Sequence, residues 1–450
     1  MTEQSGKPHS ILVRMLPPLI RRRVEHRPGL VKILDNIGWL FFDKILRMGI
    51  GLLVGVWVAR YLGPEQYGQF NYATAFVGLF GAIAGLGLNG IVVRDIVRHP
   101  ESADVTLSTA FFLQAVAGLF GLVLVILAIS MVKPDDEFAR YMVIILSASL
   151  IFKATDAIKY WYEARVQSRQ VVWIENGVFV LMAVVRIALI QGECSLLAFV
   201  WLTLVETILI SIGLVLIYAS SSGLPKLFQA TVHRAKTLMH DSWPLLLAAI
   251  AVTLYMRIDM IMLDAMSSSY EVGIYAAATR VSEIWYFLPL VIVSSVSPSL
   301  IVASKENKVL YLFRLRQLYF YMFWLSIAGS VSIFYFSESI ILMLFGEKYI
   351  GAAPVLAVHL WSSIAVFLGV ASSQYLLIEN MQNYSLYRTI IGVFFNVMLN
   401  LLLIPDMGAK GAAIATVASY FLATFSLLLF RPTRRHAMYL IAAPFFVKKS

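Results

Sequence analysis

The chain has 450 residues, of which 60% are hydrophobic and only 14% are charged, and its formal net charge is +10. A soluble protein is about 45–50% apolar, because its surface must carry polar side chains. The composition therefore excludes a soluble enzyme or binding domain, and the excess positive charge is better matched to anionic lipid headgroups than to nucleic acid.

Apolar runs recur from Ile37 to Phe430, and each is long enough to cross a hydrocarbon core of about 30 Å as a helix. They lack the short alternating segments of a transmembrane barrel. Because a helix satisfies its own backbone amides, the sequence predicts an all-α integral membrane protein with about twelve transmembrane helices in two six-helix lobes. The predicted spans are 37–59, 69–93, 107–132, 139–158, 171–190, 195–219, 243–264, 273–298, 318–336, 355–378, 386–404 and 409–430.

The distribution of Lys and Arg predicts the orientation of these spans. Seven basic residues precede residue 37, and the loops on the same side carry most of the others. The opposite loops carry five, including Lys133 and Lys348. Since the side rich in Lys and Arg is the cytoplasmic one, we predict that both termini lie in the cytoplasm.

The chain also divides into two halves of similar design. Residues 68–74 (GQFNYAT) open the second span and 273–279 (GIYAAAT) open the eighth, and the tripeptide Gly-Val-Phe begins at Gly177 and again at Gly392. Six helices per half give parallel repeats, which are typical of transporters. The predicted organisation is a basic N-terminal segment (1–36), an N-terminal lobe (37–219), a cytoplasmic linker (220–242), a C-terminal lobe (243–430) and a basic cytoplasmic tail (431–450).

Three groups of residues carry a resemblance to a known family. They are 60–68 (RYLGPEQYG), 86–90 (LGLNG) before Arg94-Asp95, and 396–400 (NVMLN) followed by Ile404-Pro405 and 408–413 (GAKGAA). Over about residues 35–430 the chain resembles the polysaccharide-transporter (O-antigen flippase, Wzx-type) family. That family is part of the multidrug/oligosaccharidyl-lipid/polysaccharide exporter superfamily.

This resemblance implies two six-helix lobes in a V and transport rather than catalysis. The implied activity is alternating-access transfer of an oligosaccharide linked to undecaprenyl diphosphate, from the inner to the outer leaflet of the bacterial cytoplasmic membrane. The product would serve surface polysaccharides such as O-antigen, lipopolysaccharide or exopolysaccharide. The implied partners are the lipid-linked oligosaccharide, membrane lipid and other polysaccharide-assembly membrane proteins, and no nucleic acid.

Arginines within the spans are candidates for the substrate site, because a charge in the bilayer costs at least about 2.5–3.5 kcal/mol unless it faces a wet cavity. Arg257 and Arg280 are predicted at one depth on adjacent antiparallel helices, and Arg47 lies near mid-membrane in the other half. A guanidinium stays charged and binds two phosphate oxygens together, so these residues suit a lipid diphosphate. The alternative is internal ion pairing, of Arg257 with Asp259, of Arg280 with Glu283, and of Arg47 with Asp43 at i, i+4.

Three asparagines are further candidates for substrate contacts, because they place amides at membrane depth. Their alternative role is to hold helices together by hydrogen bonds. They are Asn89, Asn396 and Asn400.

Carboxylates within the spans are candidates for coupling transport to a proton or sodium gradient. Glu206 is the first, because it lies near the middle of the sixth span without a charged neighbour in sequence. Asp259, Asp264 and Glu283 follow. The alternative for Glu206 is a neutral, hydrogen-bonded side chain with a packing role. The G-x-x-x-x-G-K-[ST] motif of ATP-driven proteins is absent from the sequence, as is any metal-ligand spacing of histidines, so neither a cofactor nor a metal is predicted.

Two other classes of membrane protein and one glycine motif fit the sequence less well. An ion-coupled exporter of small cationic drugs, from the same superfamily, is the alternative function. A membrane polymerase or ligase is excluded, because such enzymes need a large outer loop and none is predicted here. Residues 85–90 match G-x-G-x-x-G but follow no strand, so they are predicted to form a packing face inside a helix.

Overall fold

The computed structural model describes residues 28–222 and 229–445, and within these ranges the chain is helical without a strand. We number the helices in chain order. They are α1 (Pro28–Gly85), α2 (Asn89–Arg98), α3 (Ala103–Val132), α4 (Glu137–Ser147), α5 (Asp156–Ala164), α6 (Ser168–Gln191), α7 (Leu196–Ser222), α8 (Val232–Met266), α9 (Ser269–Ile284), α10 (Phe287–Glu306), α11 (Lys308–Tyr335), α12 (Ser337–Phe345), α13 (Ala352–His359), α14 (Ser362–Ile378), α15 (Gln382–Phe425) and α16 (Arg431–Ile441). Short 3-10 segments lie at Pro100–Ser102, Ala148–Thr155, Glu347–Tyr349 and Ser426–Leu428.

The described helices account for the predicted spans. Ten helical stretches are long and apolar enough to cross a membrane. Two of them, Phe42–Arg98 with 57 residues and Gln382–Leu428 with 47, would measure about 85 and 70 Å if straight. Each is interrupted at a glycine with non-helical backbone, Gly63 (φ 72°) and Gly408 (φ 52°). Because each therefore supplies two spans, the all-α membrane fold with about twelve spans is confirmed.

The second predicted span is not one continuous helix, so this part of the sequence prediction is wrong. Helix α1 ends at Gly85, Leu86 and Gly87 have φ angles of 54° and 63°, and α2 begins at Asn89. A Cβ on Gly87 would stand 2.6 Å from the backbone nitrogen of Leu246. The glycine pattern here therefore forms a helix break, because only glycine combines this backbone angle with so close an approach.

The helices form two compact units. One contains the described residues up to Gly55 and the range 80–247, and the other contains 56–79 and the described residues from Ala248 onward. Helices α1 and α8 each contribute residues to both units. The predicted lobe boundary at 220–242 is not tested by this division and stays a prediction.

Ion pairs fix the beginning of α8 within the first unit. Arg234 donates to Asp95 at 2.8 Å and to the hydroxyl of Thr106 at 3.1 Å. Arg94 donates to Asp241 at 2.7 Å. The first three turns of α8 are thereby attached to α2 and α3 through side chains of opposite charge.

The second unit contains a helix crossing that leaves no room for side chains. A Cβ on Gly68 would stand 1.7 Å from the carbonyl oxygen of Ser269, and a Cβ on Gly273 would stand 1.9 Å from that of Pro64. Ser269 lies one helical turn before Gly273, and Pro64 lies one helical turn before Gly68. Gly68 and Gly273 open the two repeated heptapeptides, so equivalent positions of the two repeats meet with the same geometry.

The C-terminal helix α16 is amphipathic and packs through its buried face. The ring of His436 stacks on Tyr375 with centroids 3.8 Å apart, and its Nε2 lies 2.9 Å from the hydroxyl of Ser372. Burial lowers the pKa of His436 to about 3, so the ring is neutral at physiological pH. Arg434 and Arg435 lie on the exposed face. The predicted tail is thus partly a docked helix, while residues 1–27 of the predicted N-terminal segment lie outside the described ranges.

Candidate functional site

Asp259 lies at the centre of a buried polar cluster in the second unit. Its side chain projects from α8 and the residue is 3% exposed. Oδ1 accepts a hydrogen bond from Nδ2 of Asn400 at 2.6 Å, and Oδ2 lies 2.7 Å from each of the hydroxyl oxygens of Tyr275 and Thr416. Helices α8, α9 and α15 therefore meet at one carboxylate.

Asn396 and Asn400 extend this cluster along one face of α15. Both residues are fully buried, at 0% exposure. Nδ2 of Asn400 lies 3.1 Å from Oδ1 of Asn396, whose own Nδ2 lies 3.4 Å from the hydroxyl of Ser419. Oδ1 of Asn400 has no hydrogen-bond partner among the described residues. The cluster thus holds an acceptor oxygen that no protein donor reaches.

The interruption of α15 at Gly408 is what assembles the cluster. Asn400 and Thr416 would be about 24 Å apart along a straight helix, yet both contact Asp259. The chain must therefore fold back between them, and the break at Gly408 allows it. A side chain is disfavoured there by the positive φ. A Cβ would also displace the carboxylate of Glu271, which accepts a hydrogen bond from the next backbone amide at 2.7 Å.

A buried carboxylate that is surrounded by neutral donors can hold a proton or a small cation. Every hydrogen-bond donor that the described residues offer to Asp259 is neutral, and an ionised carboxylate without a counter-charge is costly to bury. Carboxylate, amide and hydroxyl oxygens are the ligands that hard cations prefer. No group of three or more His, Cys, Asp or Glu residues in the described ranges could hold a metal ion.

Arg257 and Arg280 lie near enough to one carboxylate to interact with it electrostatically. Both interact electrostatically with Glu283, which lies on α9 with Arg280. Arg257 and Glu283 are exposed, and Arg280 is partly exposed. The second unit therefore places two guanidinium groups and the carboxylate of Glu283 on the neighbouring helices α8 and α9.

Arg47 is neutralised by carboxylates in the first unit. Its Nε lies 2.7 Å from Asp43 and its Nη2 lies 3.2 Å from Glu175. Glu175 also pairs with Lys159 at 2.6 Å, and Lys159 pairs with Asp156 at 2.9 Å. This chain of alternating charges connects α1, α5 and α6, and it favours the structural alternative that the sequence left open for Arg47.

Glu206 has a charged partner, so the premise of its predicted coupling role is wrong. Its carboxylate pairs with Arg186, which projects from the neighbouring helix α6. Helical spacing predicts ion pairs only between residues three or four positions apart. Arg186 and Glu206 are 20 positions apart, so the sequence pattern did not predict their pairing. With its charge compensated, Glu206 no longer qualifies as an isolated carboxylate.

Asp264 and Asn89 lie at helix ends rather than in the cluster. Asp264 is buried near the end of α8 and accepts a hydrogen bond from the hydroxyl of Ser269 at 2.7 Å. Asn89 is exposed at the first position of α2, directly after the helix break. Their predicted roles, in ion coupling and in substrate contact, stay predictions.

Arg388 is a residue that sequence reasoning missed. It lies on α15 and donates to the carbonyl oxygen of Gly369 and to the hydroxyl of Ser373 on α14. The available signal was an arginine within a predicted span with no carboxylate three or four residues away on its helix. Its setting differs from that of the paired arginines of the first unit.

Comparison with known proteins finds relatives that are named as polysaccharide biosynthesis proteins and flippases. A family model described as polysaccharide biosynthesis protein matches residues 33–301. The probable low-salt glycan biosynthesis flippase Agl15 of Haloferax volcanii is 24% identical over 85% of this chain and 79% of its own length. The capsular polysaccharide biosynthesis protein CapF of Staphylococcus aureus is 20% identical over 88% of this chain and 99% of its own length.

Two solved structures are similar in fold. An inward-facing multidrug resistance MATE family transporter of the MOP superfamily superposes with a TM-score of 0.69, at 16% identity, over 90% of this chain and 99% of that one. The lipid II flippase MurJ in an inward closed conformation gives a TM-score of 0.67, also at 16% identity, over 92% and 93%. Given the family match over more than half of its length, the chain belongs to the polysaccharide biosynthesis protein family and has the MOP-superfamily fold, which confirms the resemblance found in its motifs.

Proposed function

We propose that the protein is a flippase that moves an undecaprenyl-diphosphate-linked oligosaccharide from the inner to the outer leaflet of the bacterial cytoplasmic membrane. The oligosaccharide would be a repeat unit of a surface polysaccharide such as O-antigen or exopolysaccharide. The observation that carries this proposal is that Arg257 and Arg280, which the sequence predicts at one depth, both interact electrostatically with Glu283. Family membership supports it, since relatives are named for flippase and polysaccharide functions.

The arginine pair suits the part of such a substrate that crosses the membrane least readily. The polyprenyl chain can remain in lipid, but the diphosphate carries negative charge through a medium of low dielectric constant. Each guanidinium donates two parallel hydrogen bonds to phosphate oxygens and keeps its charge when partly desolvated. Glu283 would offset the repulsion between the two guanidinium groups until the diphosphate enters.

Asp259 is the proposed coupling site for a proton or a sodium ion. Its cluster uses Asn396 and Asn400, so we assign these two asparagines to the ion site rather than to the sugar. The unpartnered Oδ1 of Asn400 supplies one further oxygen ligand. The two sites are linked in space as well as in sequence, because Asp259 also interacts electrostatically with Glu283.

Deletion of the gene tests the proposed function directly. The surface polysaccharide is stained, and undecaprenyl-linked sugars are extracted from the membrane. Loss of the surface polymer with accumulation of lipid-linked repeat units supports the proposal, and the extracted sugar identifies the substrate. Complementation with Arg257→Ala or Arg280→Ala should fail although the variant inserts into the membrane, and full activity of both variants would contradict the diphosphate site.

A second candidate function is an ion-coupled exporter of small cationic compounds. The buried Asp259 carboxylate favours it, because such a group binds an organic cation as well as a proton. Under this alternative, deletion leaves the surface polymer and the lipid pool unchanged and makes cells sensitive to cationic dyes. The two candidates therefore differ in a single pair of measurements.

A further inference from the structure

Arg388 has hydrogen-bond donors that the protein does not use. A guanidinium carries five N–H groups. Nη1 and Nη2 each donate to the carbonyl oxygen of Gly369 at 3.2 Å, and Nη2 also donates to the hydroxyl of Ser373 at 2.6 Å. Two donors, the Nε–H and one Nη1–H, make no hydrogen bond with any described residue. The residue is partly buried, so these donors lie among helices rather than in bulk water.

Arg388 also lacks a counter-charge among the described residues. The groups that interact with it electrostatically are Tyr255, Tyr319 and His436, none of which is anionic at neutral pH. Four other arginines, by contrast, each pair with at least one carboxylate: Arg47, Arg94, Arg186 and Arg234. Because a partly buried cation without an anion is costly, its surroundings are electrostatically complete only when an anion binds.

The position of Arg388 along the membrane indicates when such an anion would arrive. Arg388 lies six residues after the start of α15 at Gln382, and Gly369 lies nine residues before the end of α14 at Ile378. The guanidinium is therefore about 9–14 Å from the ends of both helices. On the predicted orientation these ends are cytoplasmic, so the site lies at the depth of the leaflet from which a lipid-linked substrate starts.

We propose that Arg388 is an entry subsite for the diphosphate of the lipid-linked substrate, an inference that rests on the proposed function. Its Nε–H and free Nη1–H donate to phosphate oxygens, while Gly369 and Ser373 hold the guanidinium in place. The diphosphate supplies the missing negative charge before it reaches Arg257 and Arg280.

Binding to the purified full-length protein tests this assignment. The probes are undecaprenyl diphosphate, undecaprenol and inorganic diphosphate, and binding is measured by native mass spectrometry from detergent. Arg388→Gln removes the charge but keeps an amide donor for Gly369. Arg314→Gln is the matched control, because Arg314 lies six residues into α11, at the same side, and donates to the backbone oxygen of Ser299 at 3.0 Å.

We expect the wild-type protein to bind undecaprenyl diphosphate and Arg388→Gln to bind it about ten- to a hundred-fold more weakly, as loss of charge-assisted hydrogen bonds implies. Arg388→Lys should be intermediate, because it keeps the charge without the planar fork. Arg314→Gln should bind like wild type. Binding of undecaprenol, which has no phosphate, should be the same for all four proteins.

The unfavourable outcomes separate this inference from the proposed function. If Arg388→Gln binds undecaprenyl diphosphate as tightly as wild type, or if Arg314→Gln loses as much affinity, the entry subsite is wrong while the flippase proposal stands. If wild type binds inorganic diphosphate but not the lipid, the anion is a free phosphate compound and the lipid assignment is wrong. If wild type binds neither, the proposed function itself fails.

Hydrogen–deuterium exchange of the wild-type protein provides a second measurement that needs no variant. Undecaprenyl diphosphate should slow amide exchange at the start of α15 and across the middle of α14, and undecaprenol should not. Unchanged exchange in both segments under saturating undecaprenyl diphosphate would overturn the assignment even if Arg388→Gln fails to fold.

Discussion

Replacement of Asp259 by Asn is the sharpest test of the proposed coupling site. The amide has nearly the shape of the carboxylate, and the hydroxyls of Tyr275 and Thr416 can rotate to accept its hydrogen bonds. We therefore expect a stability cost of only about 1–3 kcal/mol, the usual range for a weakened buried hydrogen-bond set. Transport, in contrast, should fall to background, because the group that holds the ion has lost its charge.

The size of the ion effect on stability follows from binding linkage. A cation that binds only the folded protein stabilises it by about 2.7 kcal/mol when its concentration is 100 times the dissociation constant. Thermal unfolding is measured in sodium and in choline at constant ionic strength, and across pH. If sodium is the coupling ion, sodium should stabilise the wild type and have no effect on Asp259→Asn. If the proton is the coupling ion, the variant should lose part of the pH dependence instead.

Asp264 is a buried aspartate on the same helix, bonds to a hydroxyl and is also a predicted coupling residue. Asp264→Asn therefore decides between the two aspartates. It should keep the response to the ion. An Asp259→Asn protein that transports normally and still responds to sodium or pH would refute the coupling assignment. Equal losses in both variants would refute the claim that the cluster around Asp259 is special.

Three further predictions concern stability. Gly68→Val should prevent tight packing of the second unit, because its Cβ would stand 1.7 Å from a backbone oxygen. Gly78→Ala should be tolerated, because no atom lies within 4 Å of the added Cβ. Thermal unfolding of both variants tests this difference. The unfolded state takes up a proton at His436 near pH 6.5 and the folded state only near pH 3, so docking of α16 should weaken by about 2 kcal/mol between pH 7 and pH 5. The protection factors of the α16 amides against hydrogen exchange should fall with acid in the wild type and not in His436→Gln. Glu206→Gln should destabilise the first unit by about 3–5 kcal/mol, because it leaves Arg186 unpaired. Adding Arg186→Met should restore part of the lost free energy of unfolding.

Local sequence features determined much of this protein. The long apolar runs predicted the all-α membrane fold, because backbone amides in lipid must bond within their own helix. The repeated heptapeptides that begin at Gly68 and Gly273 indicated a duplication, whereas the contact between these two positions is a finding of the structure. The spacing of Asn396 and Asn400 placed both amides on one face of α15, where they do interact.

Tertiary structure decided which charges have partners. Glu206 has no charged neighbour in sequence but pairs with Arg186 on the preceding helix α6. Arg388 was not among the predicted site residues, and no carboxylate in the described ranges interacts with it. In the Asp259 cluster, Asn400 and Thr416 are separated from Asp259 by 141 and 157 positions in the sequence. The periodicity of a helix relates neither pair. Hydrophobicity and helical spacing are properties of one segment. A buried charge, in contrast, is stabilised by whichever helix the fold places against it, so only the tertiary structure determines the site.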